Sequence, residues 1–445
     1  MLADLRIVEA KLFTASGLQE GGVAVDEGKI VRVAREPNLP KADRTLNLSG
    51  KILLPGLIDA HVHLRDMELS YKEDFISGTA AAAAGGFTTV LDMPNTKPPT
   101  NSSERLREKI EVAKGKIMVN VGFYSSFPED QTDYPSLSSS GMTAFKINLY
   151  KPSSKIDVDD RKTLLEAFKN VAKVDRPVAV HAEDRRMVEE LQAGLRAAGR
   201  TRPLDFLSAH PSEAEEKSLA KVLDIVQYAL CRTHFCHVSS HKCIAPIREA
   251  KRFLGVTCET TPHHLLLTKD MIVRKGGQAI IDPPLRTAED NSRLMDAFIK
   301  GEVDIIGSDH SPHSLEEKGR ENVWDIPPGF PGLETTLPLL FTKVSDGTIP
   351  LYRLMESLTS KPAEIFHLKG KGALMEGYDA DLTAVDLKER FIVDPSEFRT
   401  KAKYSPFEGW RLIGRPFLTV VGGSVVYEDG EITAKPGQGA IVKAL

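Results

Sequence analysis

Apolar and polar positions alternate in short runs at both ends of the chain, and in longer blocks between them. Residues 5–8, 22–25 and 29–33 read as strands, with Asp26-Glu27-Gly28 as a hairpin turn whose glycine can take positive φ. Residues 382–385, 418–421 and 424–427 read the same way, broken by Gly422-Gly423 and Asp429-Gly430. Between them, apolar runs of strand length alternate with helical stretches. Strands are predicted at 53–63, 87–92, 117–121, 144–147, 177–181, 234–238, 255–258 and 304–308. Helices are predicted at 74–84, 104–113, 161–171, 213–230 and 291–300. Eight such βα units predict a parallel (β/α)8 (TIM) barrel over residues 53–372. Residues 1–52 and 373–445 are then expected to form a small composite β-sandwich, which requires the two ends of the chain to meet. A doubly wound open sheet is the alternative, but no GxGxxG follows the first strand of the middle region.

Composition narrows the class. The 445 residues are 41% hydrophobic and 27% charged, with a formal net charge of −4. That balance offers no basic stripe for nucleic acid. No apolar run reaches the roughly 18 residues of a membrane helix, and the N-terminus does not read as a signal peptide. Four cysteines without a CxxC pair argue against a disulfide framework and predict a reducing, cytoplasmic setting.

The chemistry concentrates at the ends of the predicted strands, where barrel active sites form. The first strand ends in Asp59-Ala60-His61-Val62-His63-Leu64-Arg65. Residues i and i+2 of a strand share a face, so His61 and His63 project together as half of a metal site. Strand five ends in His181, strand six in His237, and strand eight runs into Asp309-His310-Ser311-Pro312-His313. Asp92 and Asn95 follow strand two, and Lys146 sits inside strand four between Phe145 and Ile147. Taken singly, each has an ordinary reading: a core histidine, a snorkelling lysine, a helix cap. Together they converge on one rim. A buried lysine tends to lose its proton, and a neutral amine can take up carbon dioxide as an anionic carbamate. The expectation is therefore a binuclear site. His61, His63 and Asp309 hold one metal, His181 and His237 the other, with carbamylated Lys146 and a shared water between them. Asp309 is the expected proton carrier.

These residues, in this order, resemble the metal-ligand set of the amidohydrolase superfamily, in its cyclic-amidase branch of dihydroorotases, hydantoinases (dihydropyrimidinases) and allantoinases. The resemblance spans essentially the whole chain, including Lys361-Pro362-Ala363-Glu364-Ile365-Phe366 and Gly377-Tyr378-Asp379-Ala380-Asp381-Leu382. It implies a hydrolase of cyclic amides with two zinc ions per subunit, a small-molecule substrate and a homodimer. Within the branch, His-x-His-x-Arg, Met93-Pro94-Asn95-Thr96 and the Asp309–His313 segment resemble dihydroorotases. Arg65, Asn95 and His313 are then expected to bind a ring carboxylate that hydantoins and allantoin lack. The product of the reverse reaction, dihydroorotate, would be made from N-carbamoyl-aspartate in pyrimidine synthesis. Other readings are an allantoinase, a hydantoinase, or a non-catalytic scaffold of the same superfamily. Two features depart from the simple pattern. Asp282 stands before Pro283-Pro284-Leu285-Arg286 where the family usually has Asn, so Arg286 or another cation must pair with it if an anion is to bind. Cys236 and Glu259 resemble residues beside an additional zinc in the animal multifunctional pyrimidine-synthesis protein. The segment from 148 to 157 is the expected lid.

Overall fold

A computed structural model describes residues 2–14 and 16–444. Among the described residues the strands form two sheets. The first takes β1 (Ala3–Thr14), β2 (Gly17–Asp26), β3 (Lys29–Ala34), β4 (Ala42–Asn47) and β5 (Ile52–Pro55) from one end of the chain. The second is built from β6 (Leu57–Val62), β7 (Phe87–Asp92), β8 (Asn120–Ser126), β9 (Ala144–Asn148), β10 (Val178–His181), β11 (Thr233–Phe235), β12 (Val256–Thr260) and β13 (Ile305–Ile306). The far end of the chain returns to the first sheet as β14 (Leu382–Ile392), β15 (Arg411–Val421), β16 (Ser424–Glu428) and β17 (Glu431–Ile432).

The two ends of the chain do meet, through β5, which pairs parallel with β1 and antiparallel with β14. Leu5, Ile7, Val23 and Val25 from one end share an apolar cluster with Leu382, Leu418 and Val420 from the other.

The middle strands pair in sequence order, all parallel, from β6 to β13. The ring closes where the His63 amide donates to the His310 carbonyl at 2.8 Å. The parity of each strand sorts its side chains. Phe145, Val178, Val180 and Phe235 point outward under the helices, where they join the main core. Ala144, Ala179 and Tyr124 point inward, and with Phe366 and Leu368 they fill the lower half of the barrel. Two residues beyond Ala144 and Ala179 come Lys146 and His181. A period of two thus aims both into the barrel mouth.

At three strand boundaries the difference from the pattern has a visible cause. The run expected as one strand over 53–63 is two, because Gly56 breaks it: β5 stays in the terminal sheet and β6 enters the barrel. The third barrel strand begins at Asn120 rather than 117. The Ile117 carbonyl is taken by the amides of Gly437 and Gly439 in the C-terminal segment, at 3.1 and 2.9 Å. The sixth ends at Phe235, and the chain turns at His237, whose φ is 34°. No helix among the described residues is long and apolar enough to cross a membrane.

Gly56 sits at a close approach. A Cβ there would meet Thr88 Oγ1 and would lie 2.7 Å from Asp381 Cβ. Gly56→Ala is expected to destabilise the protein by about 1–3 kcal/mol through overpacking, read as a lower denaturation midpoint. An unchanged midpoint would show that the junction yields freely.

Candidate metal centre and substrate cavity

A cavity of about 340 Å3 opens at the C-terminal ends of the barrel strands. His61, His63, Lys146, His181, His237 and Asp309 all line it, although they come from five separate strands or strand ends. Arg65, Asn95 and His313 line the same space. Every sequence-predicted site residue therefore reaches one cavity.

The imidazoles are oriented from behind. His61 Nδ1 meets Glu259 Oε1, and His63 Nδ1 meets Asn95 Oδ1 at 2.6 Å. Both partners are acceptors, so each Nδ1 carries a proton and each Nε2 is turned to the cavity. Those two Nε2 atoms lie 3.5 and 3.2 Å from Asp309 Oδ1. His181 Nε2 meets Glu183 Oε2 at 2.7 Å, which leaves its Nδ1 bare, 3.0 Å from His237 Nε2. The other nitrogen of His237, Nδ1, is buried without a hydrogen-bond partner among the described residues. Imidazole nitrogens turned toward one another and toward a carboxylate make a place for a cation, whether proton or metal. Carboxylate-backed imidazole is also how proteins commonly orient metal ligands. The residues present fit a pair of divalent cations.

Charge agrees with geometry. Burial, and then the neighbouring His181, pushes His237 well below the usual histidine range. Burial likewise takes His63 down to about 4. Both are neutral, the form that binds metal. His61 goes the other way. Burial opposes its charge, but the Glu259 carboxylate overrides it and, with Cys236 and Asp309 adding to the pull against Lys146, raises the ring to about 10. The field at this point favours a cation, whether proton or metal. Asp309 is buried, yet His61 and His63 hold its carboxyl well below the usual carboxylate range, so it is ionised.

Lys146 is buried, and its Nζ lies 2.9 Å from Cys236 Sγ. Among the described residues no carboxylate oxygen forms an ion pair with that Nζ. Cys236 and Glu259 come together with His61 as a compact donor group.

The opposite wall carries the cation. Arg65 follows β6 with a left-handed backbone (φ 57°), as do Asp66 and Met67. Three such residues in succession cost on the order of 1–3 kcal/mol each. The turn is held by the Asp66 carboxylate, which accepts from the Met67 and Phe75 amides and from Lys116 Nζ. Its result is to swing Arg65 into the cavity. There Nη2 donates to Ser311 Oγ at 2.6 Å and lies 3.2 Å from His313 Nε2, while the buried Nε has no hydrogen-bond partner among the described residues. Lys72 Nζ donates to His313 Nδ1 at 3.0 Å, so the ring proton sits on Nε2 and is given to the Pro328 carbonyl at 3.0 Å. Asp66 and Asp92, possible structural partners of Arg65, are paired instead with Lys116 and Lys109.

Asp282 also lines the cavity, and its partner is not Arg286. Arg286 pairs with Glu215 at 3.3 Å and donates to Ser239 Oγ and the His210 carbonyl. Asp282 Oδ1 lies 3.3 Å from His210 Nδ1, which is also 3.0 Å from Glu183 Oε1. Burial opposes charge on His210, but Asp282 and then Glu183 raise it to about 9, so it is the cation that balances this wall. Asn148, Lys151 and Ser153 of the expected lid segment line the cavity as well. Sequence reasoning missed Glu183, Ser311, Lys72 and His210. Ser311 lay within the Asp309–His313 segment without a role of its own, and Glu183 left a trace two residues after His181 in His181-Ala182-Glu183.

Comparison with known proteins bears out the resemblance. Residues 52–426 match the amidohydrolase family. The dihydroorotase of Methanothermobacter thermautotrophicus is 40% identical over 418 residues, which cover 94% of this chain and 93% of that protein. The dihydroorotase of Bacillus cytotoxicus is 37% identical over 411 residues, 91% of this chain and 93% of that protein. Among solved structures, the L-hydantoinase (dihydropyrimidinase) from Arthrobacter aurescens superimposes with a TM-score of 0.95 at 33% identity, covering 99% of this chain and 100% of that one. With its barrel, its terminal sheet and a cluster of histidines, lysine and aspartate on five strand ends, the chain belongs to the amidohydrolase family.

Proposed function

We propose that the protein is a dihydroorotase, a hydrolase of cyclic amides that interconverts L-dihydroorotate and N-carbamoyl-L-aspartate in pyrimidine synthesis. The observation that carries this reading is the Arg65 guanidinium, with Ser311 and His313 beside it, facing the same cavity as the histidine cluster. Dihydroorotate has a ring carboxylate for it to grip; hydantoins and allantoin have none. Identity to dihydroorotases along most of the chain supports the same choice.

Zinc suits the imidazole and carboxylate donors. His61, His63 and Asp309 would hold one ion and His181 and His237 a second, with Lys146 between them as a carbamate formed from its amine and carbon dioxide with release of a proton. When bound, such a pair acidifies water and polarises an amide carbonyl.

The chain's own groups supply the rest. Arg65 fixes the ring by its carboxylate, so that the amide carbonyl faces the histidine cluster. Asn95 holds His63 through Oδ1 and keeps its amide nitrogen free for the substrate. In hydrolysis a water oxygen bonds to the amide carbon, and Asp309 accepts the water's proton. As the carbon–nitrogen bond breaks, Asp309 returns that proton to the departing nitrogen. Ring closure runs the same steps backwards.

The test is turnover of dihydroorotate, hydantoin and allantoin by the purified protein, with metal content measured on the same sample. Dihydroorotate is expected to be preferred by roughly 100-fold or more in kcat/KM, the scale of a lost charged contact. The L-hydantoinase likeness favours the second reading, and faster hydantoin turnover would establish it. No turnover and no bound metal would leave a scaffold. Sedimentation velocity checks the homodimer.

A further inference from the structure

Behind the ligand cluster, a line of buried polar side chains descends through the barrel. Glu259, on β12, is 1% exposed, and its carboxylate takes three donors: His61 Nδ1, the His237 amide at 3.1 Å, and His234 Nε2 at 3.2 Å. His234, on β11, is likewise 1% exposed and points inward, with its ring edge-on to Phe366 at 5.5 Å between centroids. It does not line the substrate cavity. Its Nδ1 lies 2.8 Å from Thr257 Oγ1. Thr257 lies at the lower end of the barrel, where it lines a separate shallow depression. The line thus runs from the floor of the barrel to a ligand histidine.

Each link sets the next. The Thr257 hydroxyl donates to His234 Nδ1, which puts that ring's proton on Nε2. Nε2 donates to Glu259 Oε2, while Oε1 receives His61 Nδ1. The carboxylate is therefore held in one rotamer from below, and His61 cannot turn its Nε2 away from the cavity. Space is tight as well. A Cβ on Gly307 would lie 3.0 Å from both Glu259 Oε2 and His61 Cβ, so the carboxylate and the imidazole are packed against the β13 backbone.

We infer that His234 is a positioning residue for the metal centre, acting through Glu259 to fix the tautomer and orientation of His61. A buried carboxylate with one donor removed loses charge-assisted bonding and gains freedom to rotate. The groups that orient metal ligands commonly contribute 10–100-fold in metal affinity. The inference rests on the proposed role of His61 as a ligand.

The experiment compares wild type, His234→Leu, His234→Gln, Thr257→Val and His61→Ala, each loaded with zinc alone and titrated with a chelator. His234→Leu is expected to weaken retention of one zinc equivalent by about 10–100-fold. It should also lower kcat while leaving the KM for dihydroorotate near wild type, because Arg65 is untouched. Gln can accept from Thr257 and donate to Glu259, so His234→Gln should recover most of the zinc retention. Thr257→Val removes only the lower anchor and should give a smaller loss in the same direction; it decides the matter if His234→Leu does not fold. Wild-type zinc retention in both His234→Leu and Thr257→Val would overturn the inference. So would three zinc equivalents in the wild type, since a third ion on His61, Cys236 and Glu259 would displace the His61 Nδ1 proton. If His61→Ala itself retains zinc like wild type, the proposed ligand set has failed instead.

Discussion

Asp309→Asn is expected to lower kcat for dihydroorotate by about 10³-fold or more. A positioned acid–base group contributes on the order of 10²–10⁴-fold, and Asp309 is asked to serve twice, as acceptor and then donor. The substitution keeps shape and removes charge. In the native chain the carboxyl is buried but held ionised by His61 and His63, with Oδ1 within 3.5 Å of both Nε2 atoms. An amide there cannot take a proton from water. It also weakens the attraction for a cation, so kcat must be measured at saturating zinc, where a purely ligating role would be restored. Turnover within tenfold of wild type under that condition would remove Asp309 from the reaction.

Arg65→Met should lower kcat/KM for dihydroorotate by about 10²-fold or more, most of it in KM. Removing one partner of a buried charged pair typically costs about 2–5 kcal/mol. Among the described residues the buried Nε of Arg65 has no hydrogen-bond partner and Nη2 reaches only neutral groups, so the guanidinium is poised for an anion from outside the chain. Met has comparable length and fills the space. Zinc content should not change, because Arg65 ligates nothing, and turnover of an uncharged cyclic imide should hold steady or rise. An unaltered KM for dihydroorotate would assign the substrate carboxylate to another group.

The order of strands and helices was readable because a parallel barrel buries each strand on both faces and writes it as an apolar run. The proposed ligands were readable for a related reason: each has an ordinary reading alone, but at the ends of several such runs they converge on one rim. What escaped were the residues that hold those ligands. His210, Lys72 and Ser311 act across the fold on partners tens to hundreds of positions away, and no local period marks them; Glu183, two residues after His181, left only its spacing. Asp282 shows the limit most clearly. Its sequence neighbour Arg286 looked like its natural counter-ion, yet Arg286 turns to Glu215, and the balancing charge arrives on His210 from another loop. The strand edges failed for the same kind of reason. The start of β8 is set by amides from residues 437 and 439, and the division at Gly56 by Thr88 and Asp381.

That division makes the strand bearing His61 and His63 the direct continuation of one knit into the terminal sheet, with a single glycine between. An excised barrel of residues 53–372 would keep every proposed ligand but leave this strand untethered at its leading end. Engineering on this scaffold should therefore treat the terminal sheet as part of the catalytic chassis and place grafts or cuts in the outer helices instead.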